Sequence, residues 1–204
     1  MIKTVLLISF FAIFVWSGMH PHDYFTWVLE VFPAIIGLVV LLLTYKKFKF
    51  TDLVYTLFWI HAIILLVGGH YTYEKIPLFD WVKEWFHFSR NHYDRLGHFA
   101  QGFVPAMVTR EIVIRKNIIN GKGWRFFFIV CTCLAISALY ELFEWWVSVA
   151  TGTAAQAFLG TQGDVWDTQW DMFFALVGSI IALLTLSKFQ DRQIASAIPL
   201  SPGR

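Results

Sequence analysis

Asp94 and His98 stand four residues apart, Glu141 and Glu144 three apart, and Asp167 and Asp171 four apart. Residues at those spacings share one face of a helix, so each pair presents two oxygen or nitrogen ligands in one direction. Imidazole and carboxylate together suit divalent zinc, manganese or iron, and a metal so held activates water or polarises an oxygen of a substrate. His70 in "GGHYTY" and His92 in "NHYDRLGHF" add imidazoles, and Asp164 in "GTQGDVWDTQWDM" adds a third aspartate to the last stretch. The candidate metal ligands are therefore Asp94, His98, Glu141, Asp167, Asp171, His92 and His70. The candidate catalytic groups are Glu144 and Asp164, with Arg95 to orient an anionic head group.

These residues lie in a chain of 204 residues that is 57% hydrophobic and only 15% charged. That balance belongs to a membrane protein. Stretches apolar enough to approach a hydrocarbon core of about 30 Å occur near residues 3–18, 27–45, 52–68, 96–113, 125–149 and 168–187. The expected fold is an all-α bundle of about six transmembrane helices in a single polytopic domain, residues 1–189. A polar tail with two prolines, residues 190–204, is expected to be disordered. The opening "MIKTVLLISFFAIFVW" has the look of a signal peptide, but "SGMHPHD" after it lacks a small-x-small cleavage pattern, so it is read as a retained span.

Lys and Arg set the orientation. Twelve of the 16 fall in the connections and termini of one side, and the other four, Lys75, Lys83, Arg90 and Arg95, in the long connection from Gly69 to Arg95. Both termini are expected to be cytoplasmic. The net charge of +2 is too small to suggest nucleic acid, and topology explains its distribution. Cys131 and Cys133, two apart, point to different faces of a helix and are read as packing residues.

With that threading, His70, Asp94, His98, Glu141, Glu144 and the three aspartates all come to the outer end of the bundle. A charged acid costs about 2.5 to 3.5 kcal/mol at the centre of a spanning helix and less toward the interface. Several together rival the whole stability of a domain, roughly 5 to 15 kcal/mol. Six acids, Asp94, Glu141, Glu144, Asp164, Asp167 and Asp171, converge with Arg95 as the nearest base in their motifs. Protons or a divalent metal must neutralise them. Gly160 and Gly163 would let their loop approach this site closely. Other polar residues have plainer readings: His20 and His22 in an exposed turn, His61 in a hydrogen bond between helices, Asp164 also as a cap, and Glu111 with Arg110 as an interfacial pair. Trp81, Trp85, Trp145 and Trp146 fit an interfacial belt.

Four motifs in order, "GGHYTY", "HYDRLGHFAQGFVPA", "ALYELFEWW" and "FLGTQGDVWDTQWDM", resemble the YjdF family of small bacterial inner-membrane proteins over nearly the whole chain. The resemblance implies a multi-pass protein of the bacterial inner membrane and carries no reaction with it. A weaker similarity is to the VanZ-like membrane proteins, through Asp94, Arg95, His98 and Phe99, then Glu141 or Glu144, then Asp171 and Gly178. It departs from that pattern at Ala175, where an Asn is usual, and implies a role at the cell envelope.

Three function classes stay open. One is a metal-dependent hydrolase acting on an amphiphilic lipid or envelope precursor. Another is a noncatalytic envelope factor with a structural metal site. The last is a proton- or cation-coupled transporter, against which the inner halves of the spans offer few polar residues. Oligomeric state is not legible.

Overall fold

The computed structural model describes residues 2–152 and 156–197, and all regular secondary structure among them is helical, with no strand. The main helices are α1 (Ile2–Gly18), α2 (Tyr24–Thr44), α3 (Asp52–Tyr71), α4 (Pro77–Phe86), α5 (Tyr93–Arg115), α6 (Lys122–Thr151), the short α7 (Gln156–Leu159) and α8 (Asp167–Ala197), with a 3-10 turn at Tyr73–Lys75. Each of the six apolar stretches read from the sequence lies within a helix. Four, α2, α3, α6 and α8, have the length and hydropathy to cross a membrane. α1 is apolar but shorter, at 17 residues. α5 has 23 residues, about 35 Å at helical rise, and is polar at both ends.

Local chemistry places the boundaries. Asp23 caps α2, its carboxylate accepting from the Thr26 amide at 2.6 Å, and this bond holds its carboxyl below the usual range. Pro77 opens α4, where a missing N–H costs nothing. α4 buries none of its residues and exposes Leu78, Trp81, Trp85 and Phe86. It is an interfacial helix within what the sequence suggested was only a connection. Pro33 and Pro105 sit inside α2 and α5.

α5 is the centre of the bundle, packed against α3, α6 and most extensively α8, while α2 and α1 pack on α3. The α5–α8 crossing is a backbone contact. A Cβ on Gly102 would lie 1.8 Å from the Ala175 carbonyl oxygen, and one on Gly178 would lie 2.1 Å from that of Phe99. Small residues let helices approach where no hydrophobic force between them drives association.

Polar bonds fasten the opposite end. Glu111, fully buried, accepts from the Thr51 amide at 3.0 Å, the Thr51 hydroxyl at 2.6 Å and Arg115 at 2.8 Å. Arg110 instead bonds Gln190 at 2.9 Å and Asp191 at 2.6 Å, so the expected Glu111–Arg110 pair is replaced by two separate ones. Gln190 also donates to the Met107 carbonyl at 2.8 Å, and Gln193 accepts from the Leu53 amide at 3.0 Å. These bonds hold α8 helical through Ala197, so residues 190–197 are not the disordered tail expected from composition. The rest of that tail lies outside the described residues.

Gly102→Ala and Gly178→Ala each force the two backbones apart. Each is expected to destabilise the detergent-solubilised protein by about 1 to 3 kcal/mol. Gly123→Ala, with nothing within 4 Å of the added methyl, is expected to leave the thermal unfolding midpoint unchanged or higher.

Candidate functional site

The α5–α8 crossing places the first turns of α5 and α8 beside the second half of α6. Asp94, His98 and Asp171, all buried, each bring one ligand atom within 4.8 Å of the others. The His98 ring is the hub. Its Nε2 lies 3.4 Å from Asp94 Oδ1 and 3.9 Å from Asp171 Oδ1. Its Nδ1 lies 3.2 Å from Gln101 Oε1 and 3.6 Å from Glu141 Oε1. Glu141, expected as a ligand, therefore stands on the other side of the imidazole from Asp94 and Asp171. An acceptor there fixes the tautomer and aim of the ring.

A second layer is built around Arg90, which is buried. Its guanidinium pairs with Asp167, lies 3.5 Å from Asp94 and 3.6 Å from Asp164, and donates to the carbonyls of Gly160 at 3.1 Å and Thr161 at 3.3 Å. Asp167 is thus an anchor for Arg90. Gly160 has φ of +60°, and a Cβ there would come within 3.8 Å of the Asp94 carboxyl, which is the close approach the sequence suggested. Asn91 and Gln162 exchange two bonds of 2.9 Å, main chain to side-chain amide in each direction. Together these contacts staple the loop before α8 to the start of α5.

Arg95 and Asp164 pair at 3.1 Å, with Arg95 lying over the Trp170 ring at 5.2 Å. Asp164 Oδ1 accepts from the Trp166 amide at 3.0 Å, a turn bond two residues on that precedes α8 rather than a cap on its first turn. Arg95 and His92 line a shallow pocket with Leu96, Phe99 and Phe174. Burial, with Arg95 and Arg90 nearby, lowers the His92 pKa. His70 lies elsewhere, its Nδ1 3.0 Å from the Ser17 carbonyl and its ring stacked on Trp16. The structure does not bring His92 or His70 to the His98 cluster.

On the other flank of α5 is a cavity of about 330 Å³ among α2, α3, α5 and α6. Glu30, Tyr73, Asp94, His98, Tyr140 and Glu144 form its polar end. Apolar walls continue past Pro33 and Pro105 to Val108 and Thr109. From Asp94 to Thr109 is about 22 Å of helix. The Tyr73 ring is slotted between Gly68 and Gly97, since Cβ atoms there would meet it at 2.3 and 2.9 Å.

Residues 2–192 match the family described as "Predicted membrane protein (DUF2238)". The chain belongs to this family. It is 50% identical over 182 residues to the "Inner membrane protein YjdF" of Escherichia coli (strain K12), covering 89% of this chain and 87% of that protein. The resemblance carried by the four motifs is thereby shown. No solved structure matches. With its apolar helices, this DUF2238 member is a multi-pass protein of the bacterial inner membrane.

Sequence reasoning missed two charged residues of this DUF2238 site. Glu30, buried in α2, carried a legible signal: an acid inside "WVLEVFPAII". Arg90 carried none, because in "FSRNHYD" it reads as one more solvated loop charge. Its burial supplies a neutralising partner that Arg95 alone did not. Arg90→Gln takes the guanidinium from buried Asp167 and leaves Asp94 with only the His98 imidazole, and is expected to cost about 3 to 5 kcal/mol in chemical or thermal unfolding. Arg95→Gln, on a pair still partly open to solvent, is expected to cost about 1 kcal/mol, and Arg90→Gln/Asp167→Asn to recover part of the Arg90 loss.

Proposed function

We propose that the protein is a metal-dependent membrane hydrolase acting on an amphiphilic envelope substrate, with Asp94, His98 and Asp171 as the metal-binding set. The observation that carries the reading is an orphaned atom. Asp171 Oδ1 is buried with no hydrogen-bond partner among the described residues, and it faces the same imidazole nitrogen as Asp94 Oδ1. A buried, unpaired carboxylate oxygen is costly, and a divalent cation shared with His98 and Asp94 removes that cost. Separations of 3.4 and 3.9 Å suit ligands about 2.0 to 2.2 Å from a common ion. Zinc, manganese and iron all fit two carboxylates and an imidazole.

A metal bound there would supply a nucleophilic water at neutral pH and polarise a substrate oxygen. The chain's own groups do the rest. Glu141 and Gln101 aim the imidazole from its far nitrogen. Glu144, at the polar end of the cavity, exchanges a proton with the reacting group. The Tyr140 hydroxyl, buried without a partner and lining the same cavity, donates to an oxygen that gains charge. The apolar remainder of the cavity accepts the aliphatic part of the substrate. Arg95, paired with Asp164 and turned to the α8 side, is left a structural role in this scheme.

The six-helix threading, with both termini cytoplasmic, is part of the proposal. A fluorescent-protein fusion at the C-terminus is expected to fold and fluoresce, and an alkaline phosphatase fusion there to be inactive. Strong phosphatase activity overturns it.

A second reading, proton- or cation-coupled transport, is favoured by the inward reach of the cavity, where His61, Gln101 and Thr109 line the wall. Elemental analysis of purified protein, before and after zinc, manganese or iron supplementation, separates the two. The hydrolase reading expects near-stoichiometric metal in the wild type and its loss in Asp171→Asn and Glu141→Gln/Asp171→Asn, with membrane insertion unchanged. Well-folded wild type that carries no metal under any of these conditions overturns it in favour of transport.

A further inference from the structure

A second cavity, of about 320 Å³, lies at the opposite end of the bundle, where α5, α6 and α8 meet. Its rim carries Arg110 from α5, Lys122 and Arg125 from α6 and Lys188 from α8. Arg110 is committed to Gln190 and Asp191. Among the described residues, Lys122, Arg125 and Lys188 form no ion pair. The wall beneath them is apolar, with Ile129 and Leu183 both buried. Trp124, between the two α6 cations, is exposed, and a tryptophan at a helix end marks the headgroup level of a bilayer.

We infer that this cavity binds the phosphodiester headgroup of an anionic phospholipid, with an acyl chain lying on the apolar wall. Positive-inside topology accounts for cations somewhere at this end. It does not gather three unpaired ones from two helices around one concave site. Lys122 and Arg125, three apart, point the same way, and Lys188 closes the third side. Three cations around an apolar wall complement a ligand that is anionic above and aliphatic below, and such pockets between spanning helices suit acidic lipids. A free phosphate would use the rim and leave the wall exposed. The site is independent of the His98 cluster and of any reaction there.

The test uses the full chain in a neutral detergent, with bound lipid counted by native mass spectrometry. Dioleoylphosphatidylglycerol is expected to be retained in preference to dioleoylphosphatidylcholine. Lys122→Gln/Arg125→Gln/Lys188→Gln is expected to weaken the glycerol lipid by about tenfold or more and leave the choline lipid unchanged, while Lys122→Arg/Lys188→Arg keeps the preference. Equal retention of the two lipids by the wild type overturns the inference. So does a triple variant that keeps the preference, and so does soluble glycerol phosphate competing as well as the lipid, which would make this a phosphate site. A photo-crosslinking phosphatidylglycerol on the wild type gives a readout that needs no variant: labelling at residues 110–114, 122–129 or 183–191 supports the site, and labelling confined to other segments overturns it.

Discussion

The contact of α5 with α8 through Gly102, Ala175, Phe99 and Gly178 fixes the distances in the polar cluster. His98 lies one turn before Gly102, and Asp171 one turn before Ala175. With side chains of ordinary size at the crossing, the helix axes would stand farther apart and Asp171 would lose its position beside the imidazole. Ala175 is fully buried there, so a residue larger than alanine has no room against Gly102.

Charge is the second constraint. Glu30, Asp94, Glu141, Glu144, Asp164, Asp167 and Asp171 gather near two guanidinium groups, Arg90 and Arg95, and one imidazole. Arg90 does more than balance part of this. By holding Asp167 and Asp94 while donating to the carbonyls of residues 160 and 161, it ties the entry to α8 to the entry to α5. Its partners leave Asp171 and Glu141 outside the network, and each keeps one buried oxygen, Oδ1 and Oε1, without a hydrogen bond among the described residues. Asp94 stands in both groups, held by Arg90 on one side and beside the His98 imidazole on the other.

The helices were legible because apolar stretches of spanning length have few alternatives, and the convergence of the acids at one end of the bundle followed from alternating the direction of successive spans. The pairing of Asp94, His98 and Asp171 followed from spacing on two helices. What spacing does not contain is rotation about the helix axis. Glu141 and Asp171 were expected on one metal, yet they face opposite nitrogens of His98. Arg95 and Asp94 are adjacent in sequence and point to opposite flanks of α5. His70, at the correct depth, faces α1. Arg90 and the tail helix to Ala197 escaped notice because loop composition says nothing about the partner that buries a loop residue.

Pro33 and Pro105 line the cavity from opposed helices. A proline has no amide hydrogen to give to the carbonyl four residues before it, so the main-chain oxygens of Leu29 and Gln101 lack their helical donors. Gln101 lies just below His98, and Leu29 is next to Glu30. Of the two, Gln101 lines the cavity, beside His98. With Glu30, Asp94, His98 and Glu144 around it, the polar end favours a small cluster of water over hydrocarbon, bounded by greasy walls.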